Sequence, residues 1–125
     1  MSDGSIVVVE DDAGMRKALE RLLRAAGFRA VLFPSAEALL ATDAADLAAC
    51  LVLDIQLPGL SGFELRRRLA AAGLARPVIF ITAHDEPSTR HEAEGSGCIA
   101  YLRKPVEGTV LLAAIRRALA IQPAA

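Results

Sequence analysis

Short apolar runs that alternate with stretches of helical periodicity constrain the fold of this chain more than any other feature. Each run has the length and residue types of a buried strand, and the runs lie at 6–9, 30–33, 50–53, 78–82 and 99–102. Because parallel strands need right-handed crossover connections, helices are expected on both faces of one sheet. The pattern predicts an α/β fold of the flavodoxin-like, doubly wound (βα)5 type, with a parallel five-stranded sheet in the order 2-1-3-4-5.

Helices are predicted between the strands, where apolar residues recur at steps of three and four. Asp12 and Ser35 are expected as N-caps, and Gly27 and Gly73 as stop signals. The fourth helix is expected to be short and polar, and its glycine-rich end predicts that it is loosely held. The predicted helices span 13–26, 36–40, 61–72, 87–95 and 107–121.

The length of 125 residues fits one domain, 1–125, and the tail 122–125 is interpreted as either the end of the protein or the start of a linker. With 14 basic and 15 acidic residues the net charge is -1, which gives no electrostatic argument for direct binding to nucleic acid or to an anionic membrane. The chain has neither an apolar run of membrane-spanning length nor the pattern of a signal peptide. It is therefore predicted to be cytoplasmic.

Acidic residues follow two of the apolar runs directly. Glu10 and Asp11 come after the first run, and Asp54 comes after the third. The predicted strand order places the switch point between strands 1 and 3, so the three acids are expected to share one crevice at the carboxyl edge of the sheet. Their mutual repulsion calls for a hard cation, and oxygen ligands of this kind suit Mg²⁺.

Two further polar residues are expected at the same edge. Thr82 ends the fourth strand, and Lys104 lies two residues beyond the fifth. A carboxylate such as Asp54 can act as a nucleophile toward phosphorus when a metal screens its charge. Lys104 offers a compact cation, and Thr82 offers a hydroxyl, to phosphoryl oxygens. The set predicts phosphoryl chemistry.

Each of these residues has a simpler explanation when it is taken singly. Asp11 can cap the first helix, Asp54 can begin a turn, and Lys104 can extend into water. Thr82 is an ordinary strand residue. These separate explanations do not account for four strand ends that all deliver polar groups to one edge, while the strands are otherwise almost wholly apolar. The joint functional interpretation is therefore preferred.

Other polar or reactive residues are assigned ordinary roles. Cys50 and Cys98 lack metal-ligand spacing and are expected to be buried, reduced thiols. Successive arginines at 66–68 are expected to form a solvated helix face, and His84 and His91 have no ligand partners at helical spacing. The glycine-rich motifs of dinucleotide and nucleoside triphosphate sites do not occur.

Four stretches resemble the receiver domain of a bacterial two-component response regulator, and the resemblance covers essentially the whole chain. They lie at 8–12, 53–62, 80–83 and 101–105. The residues around Thr82 and those at 105–111 are most similar to regulators of the nitrogen-fixation type.

The resemblance implies that Asp54 accepts a phosphoryl group from the phosphohistidine of a sensor histidine kinase. It also implies that Asp11, Asp54 and the backbone carbonyl of Gln56 ligate Mg²⁺, with Glu10 assisting through water. The chain is then a phosphoacceptor and not an enzyme, with at most self-phosphorylation from small donors and autodephosphorylation.

The same resemblance assigns Thr82 and Lys104 to contacts with the phosphoryl group, and Tyr101 to an aromatic rotamer switch. It implies a cis peptide bond between Lys104 and Pro105, although only about 5–6% of such bonds are cis in folded proteins.

Gln56 and His84 are expected nearest the line along which water attacks the phosphorylated Asp54, which predicts a phosphoryl lifetime of intermediate length. The signal is expected to leave through the face of helix 4, strand 5 and helix 5, by homodimerisation or by binding an effector. The apolar residues of helix 5 cover a wider arc than one sheet face buries; they are Val110, Leu111, Leu112, Ile115, Leu119 and Ile121.

Two alternative functions stay open. A phosphatase of the aspartyl-phosphate type also uses a strand-end Asp, a Thr or Ser, a Lys and acidic metal ligands. It predicts a second acid two residues after the nucleophile, where this chain has Gln56, and a cap insertion that this chain lacks. The other alternative is an interaction module that keeps the fold without being phosphorylated.

Overall fold

The apolar runs form a single parallel sheet in the computed structural model, which describes residues 4–121. The strands are β1 (Ser5–Val9), β2 (Ala30–Phe33), β3 (Ala48–Asp54), β4 (Val78–Thr82) and β5 (Ala100–Arg103). Their order, β2-β1-β3-β4-β5, confirms the predicted topology. The interpretation of the tail 122–125 lies outside the described residues.

Three strands differ from their predicted extents. β1 begins one residue earlier than predicted, at Ser5. β3 begins at Ala48, which pairs with Ser5 of β1 just before a register irregularity, and the small alanine side chains there gave little strand signal. β3 also includes Asp54, which was expected just beyond the strand. β5 lies one residue later than predicted and ends at Arg103, which is in register with Thr82. These shifts keep the polar residues at the same edge of the sheet.

The helices are α1 (Ala13–Ala25), α2 (Ala36–Leu40), α3 (Gly62–Ala71), α4 (Pro87–Gly95) and α5 (Gly108–Ala120). The predicted N-caps are present, since Asp12 Oδ2 accepts a hydrogen bond from Met15 N at 2.7 Å and Ser35 Oγ accepts one from Ala38 N at 3.0 Å. A 3₁₀ turn, Ala44–Leu47, precedes β3 and was not predicted, because its alanine-rich sequence carries neither proline nor glycine.

The core is divided by the sheet into two layers because successive strand residues face opposite sides. Val7, Val9 and Phe80 point toward the layer formed with α2, α3 and α4. Val8 and Ile79 point toward the layer formed with α1 and α5. All of β1, β3 and β4 is buried, as expected for central parallel strands covered on both faces.

Both cysteines are free thiols, as predicted, but the prediction that Cys98 is buried is wrong. Cys50 is buried in β3, whereas Cys98 is partly exposed after α4 and its Sγ lies 3.3 Å from Ala93 O. Burial raises the pKa of the Cys50 thiol to about 12. Within residues 4–121, no helix is long and apolar enough to cross a membrane.

Candidate functional site at the carboxyl edge of the sheet

Asp54 lies at the centre of the carboxyl edge. It is the last residue of β3 and is 2% exposed. Its Oδ1 accepts a hydrogen bond from Gln56 N at 3.0 Å, and its Oδ2 accepts one from Lys104 Nζ at 2.7 Å. Gly62 at the start of α3 packs directly against the Asp54 carbonyl group, which leaves no room there for a side chain. The carboxylate is therefore held from both the β3–α3 loop and the end of β5.

The two acids after β1 lie beside Asp54, as the strand order predicts. Carboxylate oxygens of Glu10, Asp11 and Asp54 are all within 4.8 Å of one another. Glu10 is fully buried and Asp11 is exposed, so the cluster opens to solvent on the Asp11 side. Arg16 fixes the backbone of this acidic loop, because its Nη1 donates to Glu10 O at 2.9 Å and to Asp11 O at 3.0 Å.

Lys104 bridges two of the three acids. Its Nζ lies 2.7 Å from Glu10 Oε1 and 2.7 Å from Asp54 Oδ2. Burial raises the pKa of Glu10, and the nearby Lys104 ammonium and the hydrogen bond from Asp12 N offset part of that effect. Burial is also the largest influence on Lys104 and favours its neutral form, yet the contacts with Asp54 and Glu10 together raise its pKa. The ammonium is therefore charged at neutral pH.

The acidic cluster fits a hard divalent cation. Three carboxylates face one ammonium, which leaves excess negative charge at the edge. Glu10 Oε1 is within ion-pair distance of Lys104 but outside hydrogen-bonding geometry, so this buried oxygen has no hydrogen bond among the described residues. Oxygen donors in a partly open arrangement are the ligands that Mg²⁺ prefers.

Thr82 is buried at the end of β4 and is bound to two residues near Asp54. Its hydroxyl donates to Gln56 Oε1 at 2.6 Å and accepts from His84 N at 2.9 Å, while His84 O lies 3.1 Å away. The structure thus brings together Thr82, Gln56 and His84. The contact between Thr82 and Gln56 was not predicted, because the two residues are 26 positions apart and neither type implies the other.

Tyr101 is half-buried on β5, and the structure pairs it with a residue that was not predicted. Its hydroxyl donates to Asp85 Oδ1 at 2.9 Å. Asp85 Oδ2 also lies 2.7 Å from Arg90 Nη2 and 3.4 Å from Arg103 Nε. Asp85 gave no signal in the sequence, because it lies in a polar loop where charged residues are common.

Lys104 and Pro105 are joined by a cis peptide bond, as the family resemblance implies. The backbone N of Lys104 donates to Thr82 O at 2.8 Å, which continues the pairing of β4 and β5 past the last strand residue.

A family comparison identifies this arrangement. Residues 6–116 match the response regulator receiver domain. The chain is 42% identical over 111 residues to nodulation protein W of Bradyrhizobium diazoefficiens, which covers 88% of this chain and 48% of that protein. It is 38% identical over 116 residues to the transcriptional regulatory protein FixJ of the same organism, covering 93% of this chain and 57% of that protein. The chain belongs to the receiver domain family of response regulators.

Solved structures agree with this assignment. The crystal structure of FixJ-N superposes with a TM-score of 0.87 at 36% identity, and the match covers 100% of both chains. Response regulator StyR superposes with a TM-score of 0.85 at 41% identity, covering 94% of this chain and 60% of that one. The relatives confirm the predicted similarity to nitrogen-fixation-type regulators, and the chain spans about half the length of the curated relatives it matches. Receiver domains are regulatory phosphoacceptors of the two-component class and bind Mg²⁺ at an acidic pocket; in this chain Glu10, Asp11 and Asp54 form an acidic cluster at that place.

Proposed function

We propose that Asp54 accepts a phosphoryl group from the phosphohistidine of a sensor histidine kinase. The observation that carries this proposal is the position of the Asp54 carboxylate, which is buried beside two other acids and bonded to Lys104. In the reaction a carboxylate oxygen forms a bond to phosphorus as the phosphorus–nitrogen bond of the donor breaks. The leaving imidazole nitrogen keeps the electron pair of that bond and takes up a proton.

The residues that would hold Mg²⁺ are Glu10, Asp11, Asp54 and the backbone carbonyl of Gln56. When bound, the ion neutralises charge on the phosphoryl oxygens. Arg16 keeps the two acids after β1 in place through their carbonyl groups. Lys104 and Thr82 are proposed to donate to phosphoryl oxygens, and Tyr101 to respond to the movement of Thr82.

The test is labelling with acetyl phosphate or a cognate kinase in the presence of Mg²⁺. Asp54→Asn should abolish the label, and chelation of the metal should suppress it in the wild type. Undiminished labelling of the Asp54→Asn variant contradicts the assignment. Asp46→Asn is a matched control, because Asp46 is an exposed acid in the 3₁₀ turn before β3.

The lifetime of the phosphoryl group is proposed to depend on Gln56 and His84. Both are exposed beside the buried Thr82, so they border the approach of water. Neither is a strong base there, although the Gln56 amide can orient a water molecule. Exchange of both for Ala should change the dephosphorylation rate, and an unchanged rate would show that they do not line the approach.

Output is proposed to pass through the face formed by α4, β5 and α5, by homodimerisation or by binding an effector. The exposed apolar patch on α5 is smaller than predicted, because Leu111 and Ile115 are fully buried in the core. Val110 is 47% exposed and Ile121 is 62% exposed, and their spacing of about three helical turns puts them on one side of α5. Sedimentation with and without a phosphoryl mimic tests this surface. If the protein is a monomer with and without the mimic, and its partner contacts lie elsewhere, this output surface is contradicted.

Residues 1–125 are proposed to form one receiver domain that acts in the cytoplasm without binding nucleic acid itself. Gln56 disfavours the alternative of a phosphatase, because phosphatases of the aspartyl-phosphate type have an acid at this position. The Gln56 amide oxygen here accepts a hydrogen bond from Thr82. Slow, self-limiting labelling supports a receiver, and rapid release of phosphate from many small esters supports a phosphatase.

A further inference from the structure

Asp85 joins three neighbouring side chains that lie outside the acidic cluster. It lies in the loop between β4 and α4, three positions after Thr82. Its two carboxylate oxygens contact the Tyr101 hydroxyl at 2.9 Å, Arg90 Nη2 at 2.7 Å and Arg103 Nε at 3.4 Å. One carboxylate therefore links the loop to α4 and to β5.

Tyr101 is held by this group at two points. Its hydroxyl is bonded to Asp85, and Arg90 Cζ lies 5.0 Å from the centre of its ring. The second contact is a cation–π interaction, and Arg90 is itself bonded to Asp85. Loss of the Asp85 carboxylate would therefore release both the hydroxyl and the cation over the ring.

The loop that carries Asp85 is also bonded to Thr82. The Thr82 hydroxyl has one proton, and it is shared between Gln56 Oε1 and His84 O, while His84 N donates to the same oxygen. His84 directly precedes Asp85. A Thr82 hydroxyl that turns toward a phosphoryl oxygen must give up some of these bonds, so the position of Asp85 depends on the position of that hydroxyl.

We propose that Asp85 is a positioning residue that holds Tyr101 in its resting place, so that the bond between them opposes the phosphorylated state. This inference rests on the proposed role of Asp54. A bond that forms only in the resting state stabilises that state relative to the phosphorylated one. Loss of the bond therefore shifts the equilibrium toward the phosphorylated state. Removal of the bond should make the phosphorylated arrangement easier to reach.

The composition provides a direct probe. The chain has one tyrosine and no tryptophan, so its ultraviolet emission reports on Tyr101 alone. A carboxylate that accepts a hydrogen bond from the phenol quenches tyrosine emission, because it takes up the phenolic proton in the excited state. Emission from the resting protein should therefore rise in Asp85→Ala and in Asp85→Asn. It should not change in Glu92→Ala, which removes an exposed ion pair between Glu92 of α4 and Arg67 of α3.

The decisive measurement is a titration with beryllofluoride in the presence of Mg²⁺, followed through this emission or through the one ¹⁹F signal of fluorotyrosine-labelled protein. Asp85→Ala should reach half-saturation at about fivefold lower beryllofluoride than the wild type, the size expected for one net hydrogen bond. Asp85→Asn keeps the side-chain volume and one oxygen acceptor, so its half-saturation concentration should lie between those of Asp85→Ala and the wild type. It replaces Asp85→Ala in the test if that variant folds poorly. Glu92→Ala should match the wild type.

Two failures are distinguishable. In the first, the wild type responds to beryllofluoride, but the Asp85 variants have the same half-saturation as Glu92→Ala. This result overturns the positioning role of Asp85 and leaves the phosphoacceptor role of Asp54 intact. A folded wild type whose Tyr101 signal does not respond in the presence of Mg²⁺ overturns this proposal. Labelling with acetyl phosphate then tests Asp54 separately: a label that Asp54→Asn abolishes leaves the phosphoacceptor role intact, and the absence of any label overturns that role too.

Discussion

Lys104 Nζ lies 2.7 Å from Asp54 Oδ2, so one ammonium connects strand ends that are 50 positions apart in the chain. The same nitrogen lies 2.7 Å from Glu10 Oε1. Glu10 is 0% exposed at its side chain and Asp54 is 3% exposed, whereas Lys104 is 21% exposed. The lysine is therefore part of what keeps two buried carboxylates in the fold, in addition to its proposed contact with the phosphoryl group.

Replacement of Lys104 should lower stability as well as phosphorylation. Lys104→Met keeps the apolar length of the side chain but leaves two buried carboxylates unpaired. We expect the free energy of unfolding to fall by about 3–5 kcal/mol at neutral pH, as when one partner of a buried ion pair is removed. Urea unfolding measures the change. Mg²⁺ should restore part of the loss, and Lys17→Met, at an exposed lysine of α1, should leave stability nearly unchanged.

Gly62→Ala should destabilise the protein and reduce labelling of Asp54. An added Cβ would overlap the Asp54 carbonyl oxygen and lie 3.1 Å from Ile55 Cα, and backbone atoms cannot rotate away. We expect a loss of about 1–3 kcal/mol. Gly95→Ala in α4 is the matched control, because a Cβ there meets nothing within 4 Å. That substitution should stabilise slightly, by about 0.5 kcal/mol. Equal thermal shifts in the two variants would contradict the packing argument.

The phenol of Tyr101 should titrate above its ordinary range. Burial raises its pKa first, and the hydrogen bond to Asp85 raises it further. Because the pKa is higher in the folded than in the unfolded protein, the neutral phenol stabilises the fold. This stabilisation is complete at pH values below the ordinary pKa near 10 and is lost as the pH rises through the folded-state pKa. Absorbance of tyrosinate follows the titration of this single group. The midpoint should fall in Asp85→Asn, and a midpoint that stays the same would show that the bond does not form in solution.

One thiol of the two should be available to a thiol reagent in the native protein. Cys98 is partly exposed, and burial raises its pKa, so it should react slowly. Cys50 is buried, with its pKa raised to about 12, so it should react only when the sheet opens. Counting of modified thiols with and without denaturant checks this. Rapid modification of Cys50 in native protein would mean that β3 is exposed.

The sheet and the acidic cluster were predictable because each strand is an apolar run, and a polar residue ends or directly follows four of the five runs, all but the one before Pro34. Glu10, Asp11 and Asp54 had to converge once the strand order was known, since the carboxyl ends of parallel strands meet at one edge. The boundaries of β3 and β5 were predicted less well. Ala48 is small and carries little strand signal, and the apolar run that begins at Ile99 does not indicate that β5 continues to the charged Arg103.

Contacts made by long side chains could not be predicted in the same way. Glu37 of α2 accepts a hydrogen bond at 2.9 Å from Leu60 N, which is 23 positions away, and this bond lowers the pKa of Glu37. Asp85 likewise accepts a hydrogen bond from Tyr101, which is 16 positions away and is brought near by tertiary packing. Charged residues of these types are common on any surface, so their partners become evident only when the helices are packed.

The weak attachment of α4 has a consequence for how such a domain can diversify. Ala93 is the one residue of Pro87–Gly95 that is buried, and the ion pair from Glu92 to Arg67 lies in solvent. Because the other positions of this helix contribute little to the core, substitutions there cost little folding free energy, with the exception of Arg90, which is bonded to Asp85. New surface chemistry can therefore accumulate on α4 while the sheet and its acidic edge stay intact, so the choice of partner is free to drift separately from the chemistry of Asp54.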